Sequence, residues 1–284
     1  MGEKVAKIVT ERILARLKDG VVPWHKPWIN GLACNLVSGK PYTGMNQLLL
    51  GSDDRFNCPY WLTRKQITSF DAIVNDNEYP TPIVFVKRTK YKDKETGDEK
   101  NGRIMRFYRV WNVEQTFGIS HDLLNEFYLR AAKSDDKVSE SADCLVHQYI
   151  TGDGPELNHG GGKACYIPSA DVVKIPDKNM HTSHNHYYST LFHELCHSTG
   201  HEKRLNRDFG IQGFGDTRYD FEELVAEVGA SLLCAEAGVE NKATADNTAA
   251  YVQSWLKVFE DKPDILLKAA TKAFKAVQWI KGEE

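Results

Sequence analysis

The sequence has no apolar run approaching the roughly 20 residues that a membrane-crossing helix needs. Its first residues, Met1-Gly2-Glu3-Lys4-Val5-Ala6, contain no apolar leader segment and no Ser or Thr at position 6. Neither secretion nor myristoylation is therefore expected. None of the six cysteines (Cys34, Cys58, Cys144, Cys165, Cys196, Cys234) belongs to a Cys-x-x-Cys pair. A chain this long does not need disulfide staples, so reduced thiols and a cytoplasmic location are expected. Internal repeats and low-complexity tracts are also absent. What is present is the balance of a globular protein, 41% hydrophobic and 26% charged across 284 residues, which excludes a wholly disordered chain.

The net charge of −3 is unevenly spread. Residues 1–130 hold 20 Lys and Arg against 15 Asp and Glu, whereas residues 131–284 hold 16 against 24. A basic front and an acidic back predict two units with different tasks. Residues 133–142 are polar and nearly free of bulky apolar groups, so the linker is expected there, between units 1–132 and 143–284. In the front unit, Val5, Ile8, Val9, Ile13 and Leu17 predict a helix over 3–19 that stops at Gly20. Trp24 to Trp28 reads as loop, Tyr42 to Leu50 as a short helix, and Thr63 as the N-cap of another helix reaching Ser69. In the back unit, 164–176 predicts one or two strands. Helices are expected near 187–200, 219–236 and 247–281, the last broken at Pro263.

The strongest chemical signal is His193-Glu194-Leu195-Cys196-His197. Positions i and i+4 share a helix face, so both imidazoles can reach one metal ion. Glu194 is then placed to take a proton from water at that ion. Zinc, or another divalent metal such as manganese, suits this donor set. A third ligand is needed. His201 lies past Gly200, and Lys203 stands where a His-x-x-Gly-x-x-His continuation would require histidine. The helical run Phe221 to Ala230 offers Glu223, with Glu222 as the alternative, and its small residues permit close approach to the motif helix. Glu227, one turn after Glu223, could orient a ligand histidine from behind, as in thermolysin-type zincins. His181, His184 and His186 read as a solvated cluster, Tyr219 as a phenol for the transition state or the core, and Cys196 as packing.

Residues 83–92 and 103–111 read as the arms of a long β-hairpin with a polar turn at 94–102. Nine Lys or Arg fall within 87–109 against four acids, interleaved with aromatics. Cations follow phosphates and bases stack on rings, so Lys87, Arg88, Lys90, Tyr91, Lys92, Arg103, Arg106 and Tyr108 are candidate contacts for single-stranded nucleic acid, without base preference. The alternative is a solvated hairpin whose charges guard its edges.

Together these residues resemble the ArdC-type antirestriction proteins of conjugative plasmids and the N-terminal region of TraC-type primases. His193 to His201, Arg204-Leu205, Arg207 and Glu222-Glu223-Leu224-Val225-Ala226-Glu227 are similar to that family's zincin-like metallopeptidase domain. The Pro23-Trp24 and Pro27-Trp28 pairs, Gly39 to Asn46, Tyr60 to Thr63 and Phe107 to Thr116 are similar to its N-terminal single-stranded-DNA-binding domain. Ser198 departs from the pattern, where an aromatic residue is expected. The resemblance implies a two-domain α+β protein that binds the entering plasmid strand and protects it from type I restriction, with an unknown protein substrate and no membrane partner. Two rival expectations are a DNA-coating protein whose metal is only structural and a regulatory protease that cleaves a repressor.

Overall fold

The computed structural model describes residues 2–19, 22, 32–51, 53, 55–92, 99–120, 124–125, 135–209, 217–239, 255–256, 258–260 and 265–283. The side chains of 2–9, 86–92, 99–105, 135–139 and 217–220 are not described. The Trp24 to Trp28 segment therefore lies outside the described residues.

The front half opens with helix α1 (Gly2–Lys18), which buries Ile13 and Leu17 as the helical period requires. Short strand β1 (Cys34–Asn35) and helix α2 (Met45–Gly51) follow, then strand β2 (Tyr60–Thr63) and helix α3 (Arg64–Ser69). The predicted cap is a full capping box: Gln66 N–H donates to Thr63 Oγ1, and Thr63 N–H donates to Gln66 Oε1 at 2.9 Å. Strands β4 (Thr81–Lys92) and β5 (Glu99–Asn112) form the hairpin, paired from Thr81↔Val110 to Lys92↔Glu99. Pairing consumes part of the segment expected as turn. What remains, 93–98, lies outside the described residues. The sheet order is β1-β2-β5-β4, with β1 parallel to β2 and the other pairs antiparallel. Asn46 brackets the outer edge of β4: Val84 N–H donates to Asn46 Oδ1 at 2.7 Å, and Asn46 Nδ2 donates to Val84 O at 2.8 Å. A side-chain amide thus supplies the pairing that an edge strand lacks. Strands β3 (Ile73–Val74) and β6 (Thr116–Phe117) make a small second sheet.

The segment expected as linker is instead the start of helix α4 (Asp135–Thr151). It contains no Gly or Pro to stop a helix, and two acids at its N-terminus suit the helix dipole. Its polar composition marks a helix whose apolar side, with Ala142 and Tyr149 buried, begins only further on. Strands β7 (Glu156–His159), β8 (Cys165–Ile167) and β9 (Val172–Ile175) form a sheet of order β7-β9-β8, with β7 parallel and β8 antiparallel to β9. Helices α5 (His184–Ser198), α6 (Thr217–Ala237) and α7 (Ile265–Ile280) complete the back half. Helix α5 packs on α6, α7, β8 and β9. The principal apolar core is continuous across both halves, joining Ile13, Leu17, Met45 and Leu48 to Leu266 and Ala270.

The small residues of α6 do bring it close to the motif helix. A Cβ on Gly229 would lie 2.6 Å from Cys196 Sγ, and Ala226 beside it is fully buried. Gly229→Val is therefore expected to lower stability by about 1–3 kcal/mol, read as a urea midpoint shift. The two sites touch, so Gly229→Ala combined with Cys196→Ala should cost less than the sum of the single changes. Strict additivity would refute the contact.

Candidate metal centre

Ser183 caps α5, its hydroxyl accepting from His186 N–H at 3.1 Å, and the helix then runs unbroken through the motif. One turn apart, His193 and His197 turn their Nε2 atoms to within 3.1 Å of each other. Glu223, from α6, closes the triangle with Oε2 3.5 Å from His193 Nε2 and Oε1 3.4 Å from His197 Nε2. A tetrahedral ion with ligands at about 2.0–2.2 Å has donor–donor edges of about 3.3–3.6 Å, and each of these three spacings, two of them to different Glu223 oxygens, comes within a few tenths of an ångström of such an edge. Among the described residues it is the one cluster of three such donors able to hold a metal. The residues present fit a divalent cation.

Behind His197 stands a buried ion pair. Glu222 Oε1 lies 3.4 Å from His197 Nδ1, and Arg207 grips both Glu222 oxygens, Nε to Oε2 at 2.9 Å and Nη2 to Oε1 at 2.6 Å. A carboxylate on Nδ1 fixes the tautomer that leaves the Nε2 lone pair facing Glu223. Burial by itself would depress the His197 pKa, but Glu222 and Glu223 outweigh it and raise it to about 10. Glu223 moves the opposite way: burial would raise its pKa, and the two imidazoles pull it well below the usual carboxylate range. The triangle thus binds a proton when no other cation is there, at the position a metal would take. Glu222 is held low by Arg207 and then His197, against the effect of burial.

Glu194, next to His193 in the helix, is held by a different element. Its Oε2 accepts from the backbone N–H of Tyr166, on β8, at 2.8 Å. That strand is itself anchored. Tyr166 OH donates to Asp171 Oδ1 at 2.9 Å, and Asp171, in the left-handed region at φ 52°, accepts both Arg204 Nη groups. Arg204 also donates to Ser198 O at 2.7 Å, and Arg207 to Cys196 O at 2.8 Å. Two guanidinium groups therefore satisfy carbonyls that the end of α5 leaves without helical partners, and they oppose the negative end of its dipole.

Of the residues singled out by sequence, His193, His197 and Glu223 come together and Glu194 flanks them. The carboxylate found on His197 Nδ1 is Glu222, the spare ligand of the sequence reading, and Glu227 stands half-buried further along α6. His201 turns away, its Nδ1 4.0 Å from Asp171. His181 and His186 face each other at 3.3 Å near the start of α5, and His159 meets Tyr187 OH at 2.8 Å. The Tyr219 side chain lies outside the described residues. Cys196 is fully buried packing, and burial pushes its thiol up to about 12. Ser198 uses its small size to accommodate Tyr149, whose OH lies 3.0 Å from Ser198 Oγ. Sequence reasoning gave Arg204 and Arg207 no role of their own. Their signal was their place just past a helix end, where cations find free carbonyls. On the hairpin, Arg106 and Tyr108 are exposed. The side chains of Lys87, Arg88, Lys90, Tyr91, Lys92 and Arg103 are outside the described residues, though the backbone register pairs Arg88 with Arg103 and Lys87 with Ile104.

Comparison with known proteins agrees with this arrangement. Residues 3–113 match the N-terminal domain of anti-restriction factor ArdC, and residues 145–272 match a zincin-like metallopeptidase family. DNA primase TraC of Escherichia coli is 32% identical over 295 residues, covering 96% of this chain but only 26% of the primase, so the chain spans about a quarter of that relative's length. The metal-free crystal structure of antirestriction ArdC protein from R388 plasmid superposes with a TM-score of 0.77 at 30% identity, covering 98% of this chain and 97% of that one. Its Mn(II)-bound structure gives 0.73 at 28% identity over the same shares. Alike in sequence and fold from end to end, with a zincin-like domain behind the ArdC N-terminal domain, this chain belongs to the ArdC antirestriction family.

Proposed function

We propose that this protein binds single-stranded DNA without base preference, shields incoming plasmid DNA from type I restriction, and carries a working metallopeptidase site. The observation that carries the enzymatic part is the convergence of His193, His197 and Glu223 with Glu194 beside them. The three would hold zinc, or another divalent ion such as manganese, the ion seen in the relative from R388 plasmid. When bound, such an ion supplies Lewis-acid polarisation of a peptide carbonyl and lowers the pKa of the attacking water. Glu194 takes the proton from that water and returns it to the leaving amine. The Tyr166 amide orients the carboxylate by occupying Oε2, which leaves Oε1 for the proton. Glu222 and Arg207 hold the His197 ring in register, and Glu227, half-buried one turn after Glu223, is the further candidate for orienting a ligand histidine. The protein substrate is a separate question of side-chain preference.

Metal uptake, its pH dependence, cleavage and strand binding test this reading. Glu223→Ala should strip bound zinc or manganese, measured by elemental analysis, while Glu222→Gln should weaken uptake roughly 10- to 100-fold. Unchanged stoichiometry in Glu223→Ala would move the third ligand elsewhere.

The pH dependence follows from His197. Its raised pKa, about 10, means that the metal-free site keeps a proton at pH 7. Metal uptake must expel it, so affinity should rise roughly tenfold per pH unit from pH 6 to 8. Calorimetry in buffers of different ionisation enthalpy should count roughly one proton released per ion.

Glu194→Ala should keep its metal and lose peptide-bond cleavage. If it protects incoming DNA as well as the parent does, the shield acts without proteolysis. Anisotropy with a labelled single strand should show binding that weakens steeply with salt. Binding unaffected by salt, or none at low salt, would remove the DNA claim and favour a hairpin that docks protein.

A further inference from the structure

The face of the four-stranded sheet that carries Phe85 and Tyr108 is buried over Trp61 and Val110 and exposed toward the hairpin end. Phe85 and Tyr108 are 53% and 45% exposed, yet they touch edge to face, with ring centroids 6.0 Å apart. Register places Phe85 opposite Arg106 and Tyr108 opposite Ile83, so all four lie on one face. Ile83 packs onto the cluster of Trp61 and Val110, and Phe56 packs onto the same cluster. Arg55 lies over the Phe56 ring, 4.8 Å from its centroid. The apolar line from Phe85 therefore continues to an arginine.

That arginine shares the Asp53 carboxylate with another from α1. Arg55 donates to both oxygens of Asp53, at 2.9 and 2.6 Å, and Arg16 on α1 lies 3.5 Å from the same carboxylate. Arg12 sits four residues before Arg16 on that helix, an i,i+4 pair of like charges that repel. Arg12 is exposed, and the charges of Asp53, Arg55 and Arg16 all act on it. Asp53 is 7% exposed. Asp53 thus holds Arg55 and Arg16 together beside the Phe56 ring, with Arg12 one turn away on α1.

We infer that this face is the track of the single strand: bases stack on Phe85 and Tyr108, Arg106 meets the adjoining phosphate, and the backbone reaches the cluster of Arg12, Arg16 and Arg55 past Phe56. The inference rests on the single-stranded-DNA reading above and adds to it the place, the direction and residues outside the hairpin. Exposed rings with cations beside them are what a strand with stackable bases and a charge at each phosphate requires.

The test uses the full chain and a labelled oligothymidylate, with an abasic oligonucleotide of equal length as the second probe. Phe85→Ala with Tyr108→Ala should weaken oligothymidylate binding roughly fivefold to a hundredfold per lost stack and leave abasic binding unchanged. Phe85→Tyr should restore it, which separates stacking from misfolding. Arg12→Gln, at an exposed position, should weaken both probes alike and flatten the salt slope by about 0.7. If the parent binds oligothymidylate but all these variants bind as it does, the track is wrong and the hairpin alone carries the strand. A parent that binds neither probe ends the DNA reading itself.

Discussion

The chemistry of this molecule hangs on the buried pair of Arg207 and Glu222. Taking two opposite charges out of water is expensive, and it is tolerated only when every remaining donor and acceptor is used. Here they are. Arg207 divides its donors among Glu222, Thr199 Oγ1 and Cys196 O, and Glu222 keeps one edge for His197. Removing either partner would strand the other charge at a cost of about 3–5 kcal/mol. What the pair secures is direction: a ligand ring that cannot swing, at the end of a helix whose last carbonyls are already taken.

The same end of the helix serves Glu194 through a different route. Arg204 binds Ser198 O and Asp171, Asp171 binds Tyr166, and the Tyr166 amide meets Glu194. Two arginines three residues apart thus fix the two working parts of the site, the ligand on one side and the base on the other. Gly200, between them and the motif, has no room for a side chain: a Cβ would lie 2.7 Å from Phe209 and 3.2 Å from Arg207. The turn after the helix is as constrained as the helix itself.

How much of this was legible depended on whether one period sufficed. His193 and His197 follow from the helical repeat alone, and the hairpin from β-rich runs either side of a polar turn. Thr63 announced its helix by side-chain chemistry. Glu223 could be chosen because small residues on its helix implied close approach. Glu222 could not be placed so easily: neighbours on a helix point about 100° apart, and which one enters a cavity depends on how two helices cross. Glu156 to His159 lacks a strand pattern and pairs only because β9 offers its edge. Strands β1, β3 and β6, two residues each, are shorter than any periodicity. Helix α4 was hidden by its own solubility.

The continuous core has a consequence for the molecule as a machine. Leu48 and Met45 from the front half share one apolar interior with Leu266 and Ala270 from the back. Severing the chain between the halves would leave each fragment with a raw oily surface prone to self-association. With one interior shared between them, the two ends are expected to unfold together, so that an ion gained at one end would steady the fold at the other by mass action.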